Sequence, residues 1–143
     1  MRKEHKTLWN GIVAVTVIVC LLALLSHYKN WVRTNSNGMK ILSGFYYKNI
    51  PFSDLDSVQW AERIPPMERL NGFSALGKEK GIFREFKDSL TDKKVYVYVD
   101  NLSHQKIKLV YRDSVKLFMN LKDSTDTDKM YQLFKDRIDA EKE

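Results

Sequence analysis

The longest run of apolar positions lies near the N-terminus. Residues 8–25 carry no charged side chain. As a helix, this run would rise about 27 Å at 1.5 Å per residue, close to the roughly 30 Å hydrocarbon thickness of a bilayer. The pattern therefore predicts a transmembrane helix over residues 8–27, preceded by a basic tail over residues 1–7.

A membrane anchor is favoured over three other interpretations of this run. A cleaved signal peptide needs a shorter apolar run and a small-residue cleavage site, which Ala-Leu-Leu at residues 23–25 does not supply. A buried helix of a soluble core is seldom apolar on every side. Lipid attachment at Cys20 is disfavoured because the apolar run continues past it. The favoured prediction is an uncleaved, single-pass anchor in the cell membrane.

The charges that flank this run do not orient it. Basic residues lie on both sides, with Arg2, Lys3 and Lys6 before it and Lys29, Arg33 and Lys40 after it. Because orientation follows the difference in Lys and Arg between the two sides, this near balance gives almost no preference. The side of the membrane that carries the rest of the chain stays undetermined.

A linker and one further domain are predicted after the anchor. Residues 34–38 read Thr-Asn-Ser-Asn-Gly, which is polar, turn-forming and without periodicity. We therefore expect a flexible linker over residues 28–38. The rest of the chain, residues 39–143, has the length of a single domain.

The predicted domain is dominated by strand patterns. Short segments rich in β-branched and aromatic residues occur at residues 41–47, 57–64, 81–86, 93–99, 105–112 and 115–121. In residues 105–112, a period of two places Ile107, Leu109 and Tyr111 on one inward face. Within residues 93–99, Tyr96 and Tyr98 are expected to pack rather than to line a binding surface. The short separations between segments predict an antiparallel meander.

The end of the chain changes from strand to helix periodicity. Apolar residues recur at helical spacing after residue 128, including Met130, Phe134 and Ile138. Asp126 and Asp128 are interpreted as caps of the helix N-terminus rather than as metal ligands, because carboxylates there meet unpaired amides and a positive dipole. The pattern predicts a C-terminal amphipathic helix.

Composition and motifs do not indicate catalysis. The formal charge is +6, but lysines alternate with acidic residues, as on an ordinary solvated surface, so nucleic-acid binding is not expected. Three scattered histidines and one cysteine offer no metal-ligand spacing. Residues 72–78 fit G-x-x-x-x-G-K, but Glu79 stands where a phosphate loop needs Ser or Thr. We expect no catalytic residue, metal or cofactor.

Several short motifs resemble the bacterial pleckstrin-homology (PH) domain family. An I-P-x-x-D-like turn at residues 50–54, an N-G-F segment at residues 71–73 and a G-x-F strand at residues 81–83 carry the resemblance. It covers about residues 39–138 and implies a mainly β fold, a PH-like bent antiparallel sheet or barrel of about seven strands capped by the C-terminal α-helix. The resemblance does not imply phosphoinositide binding, because the first hairpin has only one basic residue, Lys48, for a phosphorylated headgroup.

These observations predict a non-catalytic, membrane-tethered binding or scaffold module. Its partner would be a protein or peptide, self-association included. The alternative hypothesis is a sensor of anionic lipid that uses Lys78, Lys80, Arg84 and Lys87. An enzyme is the weakest hypothesis. The candidate binding or structural loop comprises Asn71, Gly72, Phe73, Gly77, Lys78, Lys80, Gly81 and Arg84.

Overall fold

The computed structural model describes residues 2–88 and 93–143. Helix α1 spans Arg2–Tyr28, and helix α2 spans Ser124–Lys142. The described strands are β1 (Trp31–Thr34), β2 (Gly38–Ser43), β3 (Tyr46–Pro51), β4 (Leu55–Ala61), β5 (Met67–Ala75), β6 (Lys78–Glu85), β7 (Val95–Val99), β8 (Lys106–Tyr111) and β9 (Val115–Asn120). Single 3₁₀ turns occupy Phe52–Asp54 and Phe86–Asp88. The predicted mainly β class with an N-terminal apolar helix is confirmed.

Helix α1 stands apart from the core. Its segment from residue 3 to residue 28 is long and apolar enough to cross a membrane, and none of its most apolar stretch is buried against the rest of the chain. A helix belonging to a soluble core would bury at least one face. The interpretation as a buried core helix is therefore wrong, whereas a membrane anchor and a signal sequence both fit a helix of this kind.

The described strands form two sheets, with orders β1-β2-β3 and β4-β8-β9-β7-β6-β5. All pairs are antiparallel except β7 and β9, which run parallel. The predicted antiparallel meander is wrong at this point, because β9 lies between β7 and β8 and leaves β8 to pair with β4. Leu117 and Met119 point into one core and Phe118 into another. A strand buried on both faces belongs in the middle of a sheet.

The apolar residues form two clusters on opposite faces of the larger sheet. The main cluster joins both sheets to α2 and includes Met39, Tyr98 and Phe134. Ile107, Leu109 and Tyr111 belong to it, as their alternation predicts. Tyr98 is almost fully buried, which confirms its packing role. The smaller cluster on the other face contains Phe83, Val95, Val97, Val99 and Phe118.

Several predicted boundaries are corrected by the structure. The predicted linker over residues 28–38 contains β1, whose four residues pair with β2. The predicted strand over residues 41–47 is interrupted by a turn in which Gly44 has φ +60. Strand β5 lies where a loop was expected. Each missed element is short or largely exposed, so it carries little apolar periodicity.

Helix α2 begins earlier than predicted and has a different cap. The Asp123 side chain accepts a hydrogen bond of 2.7 Å from the Thr125 amide, so Asp123 is the N-cap. The assignment of Asp126 and Asp128 as caps is wrong, because both lie inside the helix, but Asp126 does stand in its first turn, near the positive end of the helix dipole. The predicted amphipathic face is confirmed, since Phe134 and Ile138 are buried.

Strands β5 and β6 approach each other unusually closely at a pair of glycines. Gly72 and Gly81 are direct partners in the ladder. A Cβ on Gly81 would lie 2.3 Å from the Asn71 carbonyl oxygen and 2.8 Å from Gly72 Cα. These are backbone atoms that cannot rotate away. The close approach of β5 and β6 therefore leaves no room for a side chain at residue 81, so glycine is required there.

This close approach predicts that Gly81→Ala destabilises the protein more than Gly77→Ala. Overpacking against backbone should reduce the free energy of unfolding by about 2 kcal/mol or more. Gly77 has φ +72 but open space around it, so its substitution should cost only the conformational strain, about 1 kcal/mol. Denaturant unfolding of the full chain in detergent, followed by near-UV circular dichroism, measures both. Equal losses would contradict the steric account.

Candidate functional site

The predicted glycine-rich loop is a β-hairpin. Its residues lie on β5 and β6, and only the turn at Leu76 and Gly77 is a loop. The prediction of a loop is wrong because Gly72 and Gly81 permit close pairing of the two strands. The structure does bring the predicted residues together on one hairpin: Asn71, Gly72 and Phe73 on β5, Gly77 in the turn, and Lys78, Lys80, Gly81 and Arg84 on β6.

Lys80 is buried rather than presented on the surface. Its side chain has no exposed area, and its Nζ lies 3.0 Å from Asp100 Oδ1, which is equally buried. Burial lowers the pKa of Lys80, and the neighbouring Asp100 carboxylate opposes that shift. Lys80 cannot contact a lipid headgroup from this position. Its assignment to a surface lipid sensor is therefore wrong.

The other basic residues of the hairpin also have partners within the chain. Lys78 Nζ donates to the main-chain carbonyls of His27 and Tyr28 at the end of α1. Arg84 donates to Glu68 Oε2 at 2.6 Å. Phe73 packs edge-on against the His27 ring, with 4.9 Å between ring centroids. Lys78 and Phe73 of the hairpin thus both contact the end of α1.

Asn30 joins α1 to the domain through buried hydrogen bonds. Its main-chain amide donates to Asp100 Oδ2 at 2.6 Å. Its side-chain Nδ2 donates to the carbonyls of Tyr98 and Asn120 at 2.7 and 2.8 Å. Asn30 is itself buried. The residue that follows α1 so closely is therefore held inside the fold, where a flexible linker was expected.

Asn120 completes this network from the end of β9. Its Oδ1 accepts from the amides of Asp100 and Asn101 at 2.8 and 3.1 Å. Its Nδ2 donates to the carbonyls of Asn101 and Gln105. Asn30, Lys80, Asp100 and Asn120 together are called the buried polar network below. Sequence reasoning missed it because polar residues at strand ends look like ordinary turn residues.

A groove lies between the edge strand β1 and the first half of α2. It encloses about 810 Å³. Its walls come from the end of α1 and β1 on one side and from α2 and the segment before it on the other: Tyr28, Lys29, Asn30, Trp31, Val32 and Thr34, then Leu121, Lys122, Asp123, Asp126, Lys129, Met130 and Leu133. We call this feature the β1–α2 groove.

The backbone of β1 is available along this groove. The Asn35 amide bonds to the Gly38 carbonyl at the end of the β1–β2 hairpin. Hydrogen bonding alternates along an antiparallel pair, so Val32 and Thr34 direct their amide and carbonyl groups away from β2. Both residues line the groove. An extended segment placed there would find free donors and acceptors at the usual spacing of a strand.

The groove walls combine apolar contact area with mixed charge. Leu121, Met130 and Leu133 are partly buried and line it. Asp126 lies 3.7 Å from Lys129 in an exposed ion pair, which contributes little to stability. The groove therefore offers a partner both apolar and polar contact area, and the charges around it do not strongly favour one sign.

Asp54 and Asp56, two carboxylates close together in the sequence, both have hydrogen-bond partners within the chain. Asp54 accepts from Arg112 Nε at 2.7 Å, and Asp56 accepts from the Asp113 amide at 2.6 Å. Both hold the turn between β8 and β9 against the start of β4. Within residues 2–88 and 93–143, no group of three His, Cys, Asp or Glu side chains is arranged to hold a metal ion.

The buried polar network predicts that Lys80→Met is strongly destabilising. Removing one member of a buried ion pair leaves the other charge uncompensated, so we expect a loss of about 3–5 kcal/mol in the free energy of unfolding. Arg84→Gln is the matched control on the same strand. It breaks a partly exposed ion pair and should cost less than about 1 kcal/mol. Chemical unfolding of the full chain in detergent measures both, and a small effect at Lys80 would contradict the network.

Comparisons with protein-family models, curated proteins and solved structures find no match to this chain. The resemblance to the bacterial PH domain family therefore stays a prediction from the sequence motifs. A function has to be argued from the geometry of the described residues, and the β1–α2 groove together with the attachment of α1 provides the basis for that argument.

Proposed function

We propose that this protein is a non-catalytic, membrane-tethered module that binds an extended segment of a protein partner. Helix α1 is the anchor in the cell membrane, and the β1–α2 groove is the binding site. One observation carries the proposal: β1 is an edge strand whose outward backbone groups at Val32 and Thr34 line a groove closed by α2.

The physical basis of binding is the addition of a strand. A partner segment aligned with β1 would gain main-chain hydrogen bonds from a sheet edge, and its alternate side chains would enter the groove. Leu121, Met130 and Leu133 offer apolar contact to those side chains. The partner segment is therefore expected to be extended, with an apolar residue at every second position.

Tethering affects both the affinity that is needed and the choice of partner. The groove begins at Tyr28 and Lys29, directly at the end of α1. A partner in the same membrane is held at a high effective concentration, so each contact can be weak. The favoured partner is consequently a protein segment that lies close to the bilayer, a second copy of this chain included.

The lipid-sensor alternative is not favoured by the hairpin geometry. Lys80 is buried against Asp100, and Arg84 is occupied by Glu68. Lys87 lies 3.5 Å from Glu85. The proposed basic cluster therefore lacks one member altogether and has acidic neighbours at two others, which leaves it a poor match for an anionic headgroup.

The groove is tested with Thr34→Pro. Proline is tolerated on an edge strand where the lost amide faces away from the ladder, so β1 should remain paired with β2. A partner strand would lose a hydrogen bond and meet the proline ring. With a photo-crosslinking amino acid at Met130, expressed in intact cells, the crosslinked partner band should be lost in Thr34→Pro.

The matched control is Thr34→Val, which keeps the backbone amide and the shape of the side chain. It should retain the crosslinked band, and the same label at Gln132, on the exposed face of α2, should not form it. A band that persists in Thr34→Pro, or appears equally from Gln132, would contradict the groove as the binding site. A band at twice the mass of the chain would identify the partner as a second copy.

A further inference from the structure

Two hairpin tips carry large apolar side chains that are exposed to solvent. Phe45 is 75% exposed in the β2–β3 turn, and Leu76 is 97% exposed in the β5–β6 turn. Turns normally carry Gly, Pro, Asn, Asp or Ser. Leu76 also holds a φ of +53, a conformation that disfavours a branched side chain. Neither residue contributes to the two apolar clusters, so the core does not explain them.

Both tips lie beside the last turn of α1. In the first tip, the Gly44 amide donates to the Ser26 carbonyl at 3.1 Å. The Phe45 ring packs edge-on against His27, with 4.6 Å between centroids. In the second tip, Lys78 follows Leu76 by two residues and donates to the carbonyls at the end of α1. The two turns therefore flank α1 where its apolar run ends.

This placement fixes the height of the tips relative to a bilayer. The contacts are made at residues 26–28, one to three residues beyond the last apolar residue of the run, Leu25. At 1.5 Å per residue that is about 2–5 Å along the helix axis. The headgroup region extends roughly 5–7 Å beyond the hydrocarbon on each side. The contacts that join the two tips to α1 thus lie at the level of the headgroup layer of any membrane that α1 spans.

The same end of the domain carries aromatic and cationic side chains. Trp31 Nε1 donates to the Leu25 carbonyl at 3.2 Å, and Lys29 Nζ lies 4.5 Å from the Trp31 ring centroid. Lys122 Nζ lies 3.8 Å from the Tyr28 ring centroid. Tyr and Trp rings favour the headgroup layer, and lysines there are attracted by lipid phosphates.

We propose that this end of the domain is a membrane-contacting surface, in which Phe45 and Leu76 insert into the headgroup layer of the bilayer that α1 spans. The inference rests on the proposed role of α1 as an anchor. We expect this surface to contact the bilayer rather than a protein, because the attachment of α1 holds both tips at the bilayer surface. The domain then rests on the membrane with the ends of β6, β7 and β9 directed towards it.

The test places a fluorescent label at single cysteines in the full chain, on a Cys20→Ser background. The protein is reconstituted into vesicles of phosphatidylcholine and phosphatidylglycerol in equal parts, with and without lipid that carries a nitroxide quencher near the headgroup. Labels at Leu76→Cys and Phe45→Cys should lose most of their fluorescence to the quencher. Their emission should also shift to the blue, as expected for a probe that leaves water.

Two control positions separate the possible failures. Ser114→Cys lies in the exposed turn before β9, about 20 Å from Asn120 at the other end of that strand, at 3.3 Å per residue. Its label should stay unquenched. Val17→Cys lies in the middle of α1 and should respond to a quencher placed deep in the acyl chain. If the Val17 label is quenched but the labels at Leu76 and Phe45 stay unquenched, as at Ser114, the membrane-contacting surface alone is overturned. An unquenched Val17 label would overturn both the anchor and the surface.

Discussion

The rest of the structure is arranged around a charge pair that has no access to water. Lys80 and Asp100 are both fully buried, and a buried ion pair is stable only when its remaining hydrogen-bonding groups find partners. The Asn30 amide supplies such a partner to Asp100 Oδ2, and Asn120 Oδ1 accepts from the amides of Asp100 and Asn101. Within the described residues, Lys80 Nζ and Asp100 Oδ1 have no hydrogen-bond partner beyond their mutual ion pair. Because Asn30 follows α1 by two residues, this requirement also fixes the helix to the domain.

The attachment explains why both proposed surfaces lie at one end of the molecule. Locking Asn30 inside the fold places β1 directly after the helix, at the edge of the sheet that it forms with β2 and β3. Its other edge then opens towards α2 as the β1–α2 groove. Locking the helix end also places the turns at Gly44 and Leu76 beside it. A partner segment in the groove would therefore lie next to the surface proposed to contact the bilayer.

The elements with strong periodicity could be predicted from the sequence. Residues 8–25 form a helix, Ile107 and Leu109 face the core, and Phe134 and Ile138 anchor α2, because each pattern repeats at the period of its structure. The pairing of β9 between β7 and β8 could not be predicted. It depends on the burial of both faces of residues 117–119. A continuous apolar run shows that a segment is buried, but it does not show which strands lie on either side of it.

The candidate site was less accessible to sequence reasoning than the fold. The residues of the expected loop lie together on β5 and β6, but in the sequence Lys80 is one of several lysines in a stretch that looks solvent-exposed. Its burial follows only from the pairing of β6 with β7, which places Lys80 opposite Tyr98 and brings Asp100 within reach. Asn30 and β1 lay in an expected linker. Long-range contacts, rather than local composition, decide the environment of each of these residues.

The most direct test of this account is the distance distribution between α1 and the domain. Spin labels at Val17→Cys and Ser114→Cys, on a Cys20→Ser background in lipid nanodiscs, report it by pulsed electron paramagnetic resonance. The account predicts one narrow distribution that broadens when Asn30→Ala removes the side-chain hydrogen bonds. A broad distribution in the chain that retains Asn30 would show that the helix and the domain move independently, and would contradict the attachment on which both proposed surfaces depend.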